Sequence, residues 1–122
     1  MADTYQRRER NWLCCMTEFD FACLDWIMAV NSQLKRSEAV RLSLVRQIQR
    51  DRFRVNDEAT GLSLDGVAGK PSRKFSQRLR TEDFAALDAV RDSHGLKNRA
   101  SAMRLAVRAQ ARRDGMVFPE VL

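Results

Sequence analysis

Two periodicities alternate along the chain. Asn11-Trp12-Leu13-Cys14-Cys15-Met16 is an apolar run of strand length. From Glu18, apolar residues recur at three- and four-residue steps (Phe21, Leu24, Ile27, Met28), which predicts an amphipathic helix broken at Asn31-Ser32. A second helix opens at Lys35-Arg36-Ser37-Glu38, carries Val40, Leu44 and Ile48 on one stripe, and runs to about Arg54. Residues 55–72 hold Gly61, Gly66, Gly69 and Pro71 among polar side chains and read as a linker. Lys74-Phe75-Ser76-Gln77-Arg78-Leu79-Arg80 then alternates at period two, the mark of a strand with two unlike faces. Phe75, Gln77 and Leu79 suit packing, whereas Lys74, Ser76, Arg78 and Arg80 suit an anionic partner. Thr81 reads as the cap of a helix from about Glu82 to Ser93, with Phe84, Leu87 and Val90 on its apolar face and Gly95 free to adopt a left-handed stop. A last helix spans about Arg99 to Arg113, and Met116–Leu122 is an apolar tail expected to pack on the body. Residues 1–10 read as a disordered or weakly helical basic arm.

The two halves repeat. A shift of 63 residues lays Asp20, Phe21, Ala22, Leu24 and Asp25 on Asp83, Phe84, Ala85, Leu87 and Asp88. The same shift lays Arg36, Ala39, Arg41, Leu42, Gln47, Arg50 and Asp51 on Arg99, Ala102, Arg104, Leu105, Gln110, Arg113 and Asp114. One register therefore holds through both helices and the turn between them, without a gap. The expected organisation is one domain of two strand-helix-helix units, residues 10–54 and 73–114, with a tail at 115–122. A single unit buries too little surface to be stable, so it needs the other copy. The 18-residue linker reaches at most about 60 Å when extended, enough to let the copies pair in cis.

Charge sharpens this picture. The chain of 122 residues carries a formal +6. Up to Gly61 there are 10 cations and 9 acids; beyond it there are 12 and 7. The excess sits in the half that holds the basic strand, which points to nucleic acid or an anionic surface. No apolar run is long enough to span a bilayer, and no signal-peptide core is present, so neither a membrane partner nor export is expected. Cys14, Cys15 and Cys23 make a poor disulfide framework; they read as small core or strand residues in a reducing compartment. There is no Ser/His/Asp grouping, no phosphate loop and no paired metal ligand, so no enzyme, cofactor or metal is expected. Asp20, Asp25, Asp83 and Asp88 read as ordinary acids of first helical turns, His94 as a capping residue, and Arg41, Arg104 and Arg108 as surface charges.

The strand, Phe84-x-x-Leu87-x-x-Val90, and Leu34-Lys35-Arg36-Ser37-Glu38-Ala39-Val40-Arg41 resemble the ribbon-helix-helix family of DNA-binding proteins, over about 84 residues taken as two copies. The resemblance implies a mainly α fold with a two-stranded antiparallel β-ribbon that enters the DNA major groove. Here that fold would be a single-chain pseudo-dimer. The fused layout is similar to accessory proteins of DNA processing in conjugation and agrobacterial T-DNA transfer, including the TraY type of plasmid relaxosome. It implies double-stranded DNA and other relaxosome proteins as partners in a bacterial cytoplasm, with DNA bound in one or more copies. A repressor or antitoxin of the same fold is the alternative, and a protein-interaction bundle with incidental basic charge is a third.

In such a ribbon the base-contacting side chains would be Lys74, Ser76, Arg78 and Arg80 from one strand and Asn11, Leu13, Cys15 and Thr17 from the other. A slip of one residue would exchange the faces and make Gln77 a reader. The starts of the second helices, with free N–H groups and a positive dipole end, are the expected phosphate sites: Lys35, Arg36 and Ser37 in one copy, Lys97, Asn98 and Arg99 in the other. Lys35 stands where the family has Ser or Thr, so capping is expected to pass to Ser37, while Asn98 is a good cap. Because the strands differ, the expected DNA site is non-palindromic.

Overall fold

The computed structural model describes residues 9–53 and 70–118. Most of the expected linker lies outside them. The order is β1 (Glu9–Met16), α1 (Glu18–Val30), α2 (Arg36–Arg52), β2 (Arg73–Arg80), α3 (Thr81–Ser93) and α4 (Arg99–Arg113). β1 and β2 pair antiparallel as a two-stranded sheet, and the four helices pack beneath it. The chain is thus mainly α with a β-ribbon. Glu9 and Arg10, expected in an N-terminal arm, belong to β1 instead: opposite Arg80 and Leu79 they extend the ladder.

Local chemistry sets the boundaries. Thr17 caps α1 in a full capping box: its Oγ1 accepts from Asp20 N–H at 3.1 Å, and Asp20 accepts from Thr17 N–H at 2.8 Å. Thr17 is therefore buried at a helix start, not presented on the strand's outer face. The other acidic helix starts use half of this device. Arg80, not Thr81, is the N-cap of α3, its N–H donating to Asp83 at 2.9 Å. Lys35, not Ser37, is the N-cap of α2, its N–H donating to Glu38 at 2.9 Å. A carboxylate at the third helical position, in the first turn, reaches back to the cap N–H, although a Lys or Arg cap has no hydroxyl to return the bond. Asn98 caps α4 as expected, accepting from Ser101 N–H at 2.9 Å. α3 and α4 both stop in Schellman turns, with Gly95 at φ +62° and Gly115 at φ +95°.

The core gathers the apolar stripes: Leu24 and Ile27 of α1, Val40 and Leu44 of α2, and Phe84, Leu87 and Val90 of α3, under Met16, Phe75 and Leu79 of the ribbon. Each fully buried Leu, Ile or Phe contributes about 1.5–3 kcal/mol of transfer free energy. α4 differs from the other helices. It is buried continuously from Ala102 to Ala111, and its alanines at 102, 106, 109 and 111 let α1, α2, α3 and β1 pack close on every side. Met116 and Phe118 of the tail pack against the core; 119–122 lie outside the described residues.

That position of α4 overturns the expectation that Arg104 and Arg108 are surface charges. Arg104 Nε donates to Asp20 Oδ2 at 2.8 Å and Arg108 Nε to Asp20 Oδ1 at 2.5 Å, with Asp20 wholly buried. Arg41, at the position of Arg104 in the first half, reaches Asp83 at 3.1 and 3.2 Å. Asp20 and Asp83 are thus more than first-turn acids: each fixes an arginine from the other half. Asp25 and Asp88, expected in first turns, lie further along α1 and α3.

Candidate nucleic-acid interface

The register Glu9↔Arg80, Asn11↔Arg78, Leu13↔Ser76 and Cys15↔Lys74 puts these eight residues on one face, because directly opposed residues of an antiparallel pair share a side. The alternate set, Trp12, Cys14, Met16, Phe75, Gln77 and Leu79, turns toward the helices. The strand faces are those read from the basic side chains, not the slipped alternative. Burial supplies the reason: Phe75 and Leu79 are buried, and a one-residue slip would bring Ser76 and Arg78 inward in their place. Gln77 is half-buried and accepts from Arg36 Nε at 2.9 Å, so it is not on the outer face.

The outer face is open. Leu13 is 67% exposed at its centre, the Arg78 side chain is 68% exposed, and Asn11, Cys15, Lys74 and Ser76 are exposed. Glu9 lies 3.5 Å from Arg80 Nε and 3.7 Å from Arg78 Nε. Exposed pairs at such distances hold weakly, leaving both guanidinium groups available to a stronger anion.

The start of α2 abuts the ribbon. Arg36 Nη2 donates to the Ser76 carbonyl at 2.5 Å, and the guanidinium lies 5.1 Å from the centre of the Phe75 ring. Lys35 is exposed beside it and Ser37 is half-buried. At the start of α4, Lys97 and Asn98 are exposed. Arg99 is engaged differently: it grips Asp88 at 2.7 and 3.0 Å and lies 5.0 Å from the Phe84 ring centre. Its hydrogen bonds to Asp88 hold that carboxyl below, and the guanidinium above, their ordinary values. Of the two expected phosphate sites, the one at α2 is joined to the ribbon by a direct hydrogen bond, whereas Arg99 at α4 is held on α3.

The ribbon is fastened at both ends by Arg10, which falls in the expected basic arm, and by Arg73. Arg10 stacks 4.3 Å over the Phe84 ring, and Arg73 stacks 4.0 Å over the Phe21 ring while pairing with Glu18 at 2.7 Å. Arg10 and Arg73 are 63 residues apart, as are Phe84 and Phe21, so the same repeat that revealed the helices carried this signal. At the opposite side of the molecule Asn31 donates to Asp114 at 2.7 Å and His94 lies 2.9 Å from Asp51, again at repeat-related positions. His94 is the C-cap of α3 and also part of this link between halves.

Among the described residues no cluster of His, Cys, Asp or Glu is arranged to hold a metal, and no helix is long and apolar enough to cross a membrane. No protein-family model, curated protein or solved structure matches the chain.

Proposed function

We propose that the chain is a single-chain, pseudo-dimeric ribbon-helix-helix protein that binds double-stranded DNA by inserting the β1–β2 ribbon into the major groove. The observation that carries this reading is the outer face of the ribbon: a solvent-open row of Asn11, Leu13, Cys15, Lys74, Ser76 and Arg78, continued by half-buried Arg80 and exposed Glu9, on a two-stranded element of groove width. Support for the pseudo-dimer comes from reciprocity. Arg104–Asp20 and Arg41–Asp83, Arg10–Phe84 and Arg73–Phe21, and Asn31–Asp114 and His94–Asp51 are each one contact made twice with the halves exchanged. The register agrees: Leu13 faces Ser76, its own repeat equivalent, so a pseudo-twofold axis passes between them.

In this reading Arg78 and Arg80 read guanine edges, Asn11 reads adenine, and Leu13 covers thymine methyl groups. Lys35, Arg36 and Ser37 at the start of α2, and Lys97 and Asn98 at the start of α4, hold phosphates and set position. By the resemblance drawn from the sequence, the duplex is a transfer origin or T-DNA border region, the setting is the bacterial cytoplasm, and other relaxosome proteins are partners. The test is a titration of labelled duplex with the full chain at several salt concentrations. Neutralising about four phosphates gives a slope of log affinity against log salt near −3.6. An affinity indifferent to salt rejects the reading. Footprinting on a transfer origin against the protein's own promoter separates a transfer factor from a repressor.

A further inference from the structure

The outer face of the ribbon carries a single acid, Glu9, and it stands between two arginines. Glu9 is directly opposite Arg80, and the next outward row is Asn11 opposite Arg78. One end of the ribbon therefore gathers Glu9, Asn11, Arg78 and Arg80. The other end offers Cys15 opposite Lys74. The polar groups are divided by end, not by strand.

A carboxylate carried toward a polyanion opposes binding unless it meets a hydrogen-bond donor. In the major groove the donors are the amino groups of cytosine and adenine, and Glu is matched to cytosine N4, whereas Arg is matched to guanine O6 and N7. We propose that Glu9 is a specificity-determining residue. Together with Arg78 and Arg80 it selects G·C base pairs at one end of the target, the arginines on guanine and Glu9 on the cytosine amino group, and it penalises duplexes that present acceptors there. Glu9 lies between the two guanidinium groups, both within 3.7 Å of its carboxylate, in contacts weak enough to give way to base edges. This inference rests on the DNA-binding reading and deepens it: it assigns the base composition of one half-site and gives the ribbon a direction.

The test uses the full chain as wild type, Glu9→Ala and Glu9→Gln. Each is titrated by fluorescence anisotropy against three duplexes: one selected by the wild type from a random pool, the same duplex with the G·C pairs of one end changed to A·T, and an unrelated duplex. Glu9→Ala is expected to bind the unrelated duplex several-fold more tightly. Its preference for the selected duplex over the altered one should fall about tenfold, within the range of a lost base contact. Glu9→Gln is expected to move preference toward the A·T version, because Gln suits adenine. An equal weakening of Glu9→Ala on all three duplexes would mean that Glu9 only holds the arginines and would overturn the proposal. So would unchanged preference in both variants. Both of those results leave DNA binding standing; a wild-type chain that binds none of the duplexes overturns DNA binding itself and this proposal with it, whereas one that binds all three equally overturns this proposal only.

Discussion

Arg108, on the last helix, places its guanidinium 2.5 Å from the carboxylate of Asp20 at the start of the first, and both side chains are buried to within 1% of complete exclusion from solvent. Arg104 shares that carboxylate from one helical turn away. Two cations thus converge on one buried acid, and the acid also closes the α1 cap. Asp83 makes the corresponding contact with Arg41, a partner still 31% exposed.

Removing the buried acid leaves two charges stranded. Asp20→Asn is expected to cost about 3–5 kcal/mol of stability. Asp83→Asn should cost about 1 kcal/mol, because its partner remains solvated. Urea unfolding of the two variants beside the wild type checks this; equal losses would mean that burial of the pair is not what matters.

Thiol chemistry should separate the three cysteines. Burial, reinforced for Cys14 by Cys15 and Asp20, pushes the Cys14 thiol up to about 12. Burial and Asp20 push Cys23 to about 12 as well. Both therefore stay protonated and unreactive at neutral pH, while Cys15 is exposed on the ribbon. A thiol-reactive dye is expected to label one site quickly, and Cys15→Ser should abolish the fast phase. Duplex DNA should slow it in the wild type. Fast labelling at two sites in the folded chain would contradict the strand faces.

The Asp88–Arg99 pair predicts an acid dependence. The hydrogen bonds from Arg99 hold the Asp88 carboxyl below its ordinary value of 3.8 in the folded chain. Its contribution is therefore complete above that value and is lost as pH falls through the lower folded one. Thermal midpoints of wild type and Asp88→Asn should differ at neutral pH and converge in acid, once the pH has fallen through the lowered folded value of this carboxyl. A gap that persists in acid would assign the effect to something other than this carboxylate.

Two outward residues should affect DNA without affecting the fold. Arg78→Ala is expected to remove sequence preference at about 1–3 kcal/mol per lost bidentate contact. Leu13→Ala should leave stability within about 0.5 kcal/mol, since Leu13 is 67% exposed, yet weaken binding to the selected duplex. Gel-shift titration with a parallel melting curve reads both quantities. A stability loss from Leu13→Ala would make it a packing residue.

The elements were legible because their signals are local. Leu24 and Ile27, Val40 and Leu44, and Phe84, Leu87 and Val90 recur at helical spacing, and all are buried where that spacing directs them. The alternation from Lys74 to Arg80 carried its own face assignment, since Phe75 and Leu79 can be satisfied on the inner side only. Helix caps were less legible at Arg80 and Lys35, where the cap group is a carboxylate three residues downstream and the cap residue itself gives no clue.

From the residues alone came the duplication, the order of strand and helices, and the basic row on one strand, because periodicity, composition and a constant 63-residue register are properties of the chain read end to end. Only the tertiary structure decided which cations are available. Arg104, Arg108 and Arg99 look no different in sequence from Arg78 and Arg80, yet the first three are committed to Asp20 or Asp88. The same is true of the way the ribbon sorts Glu9, Asn11, Arg78 and Arg80 to one end. A charge is exposed or neutralised according to what lies across space from it, and residues more than sixty positions apart meet only once the strands have paired.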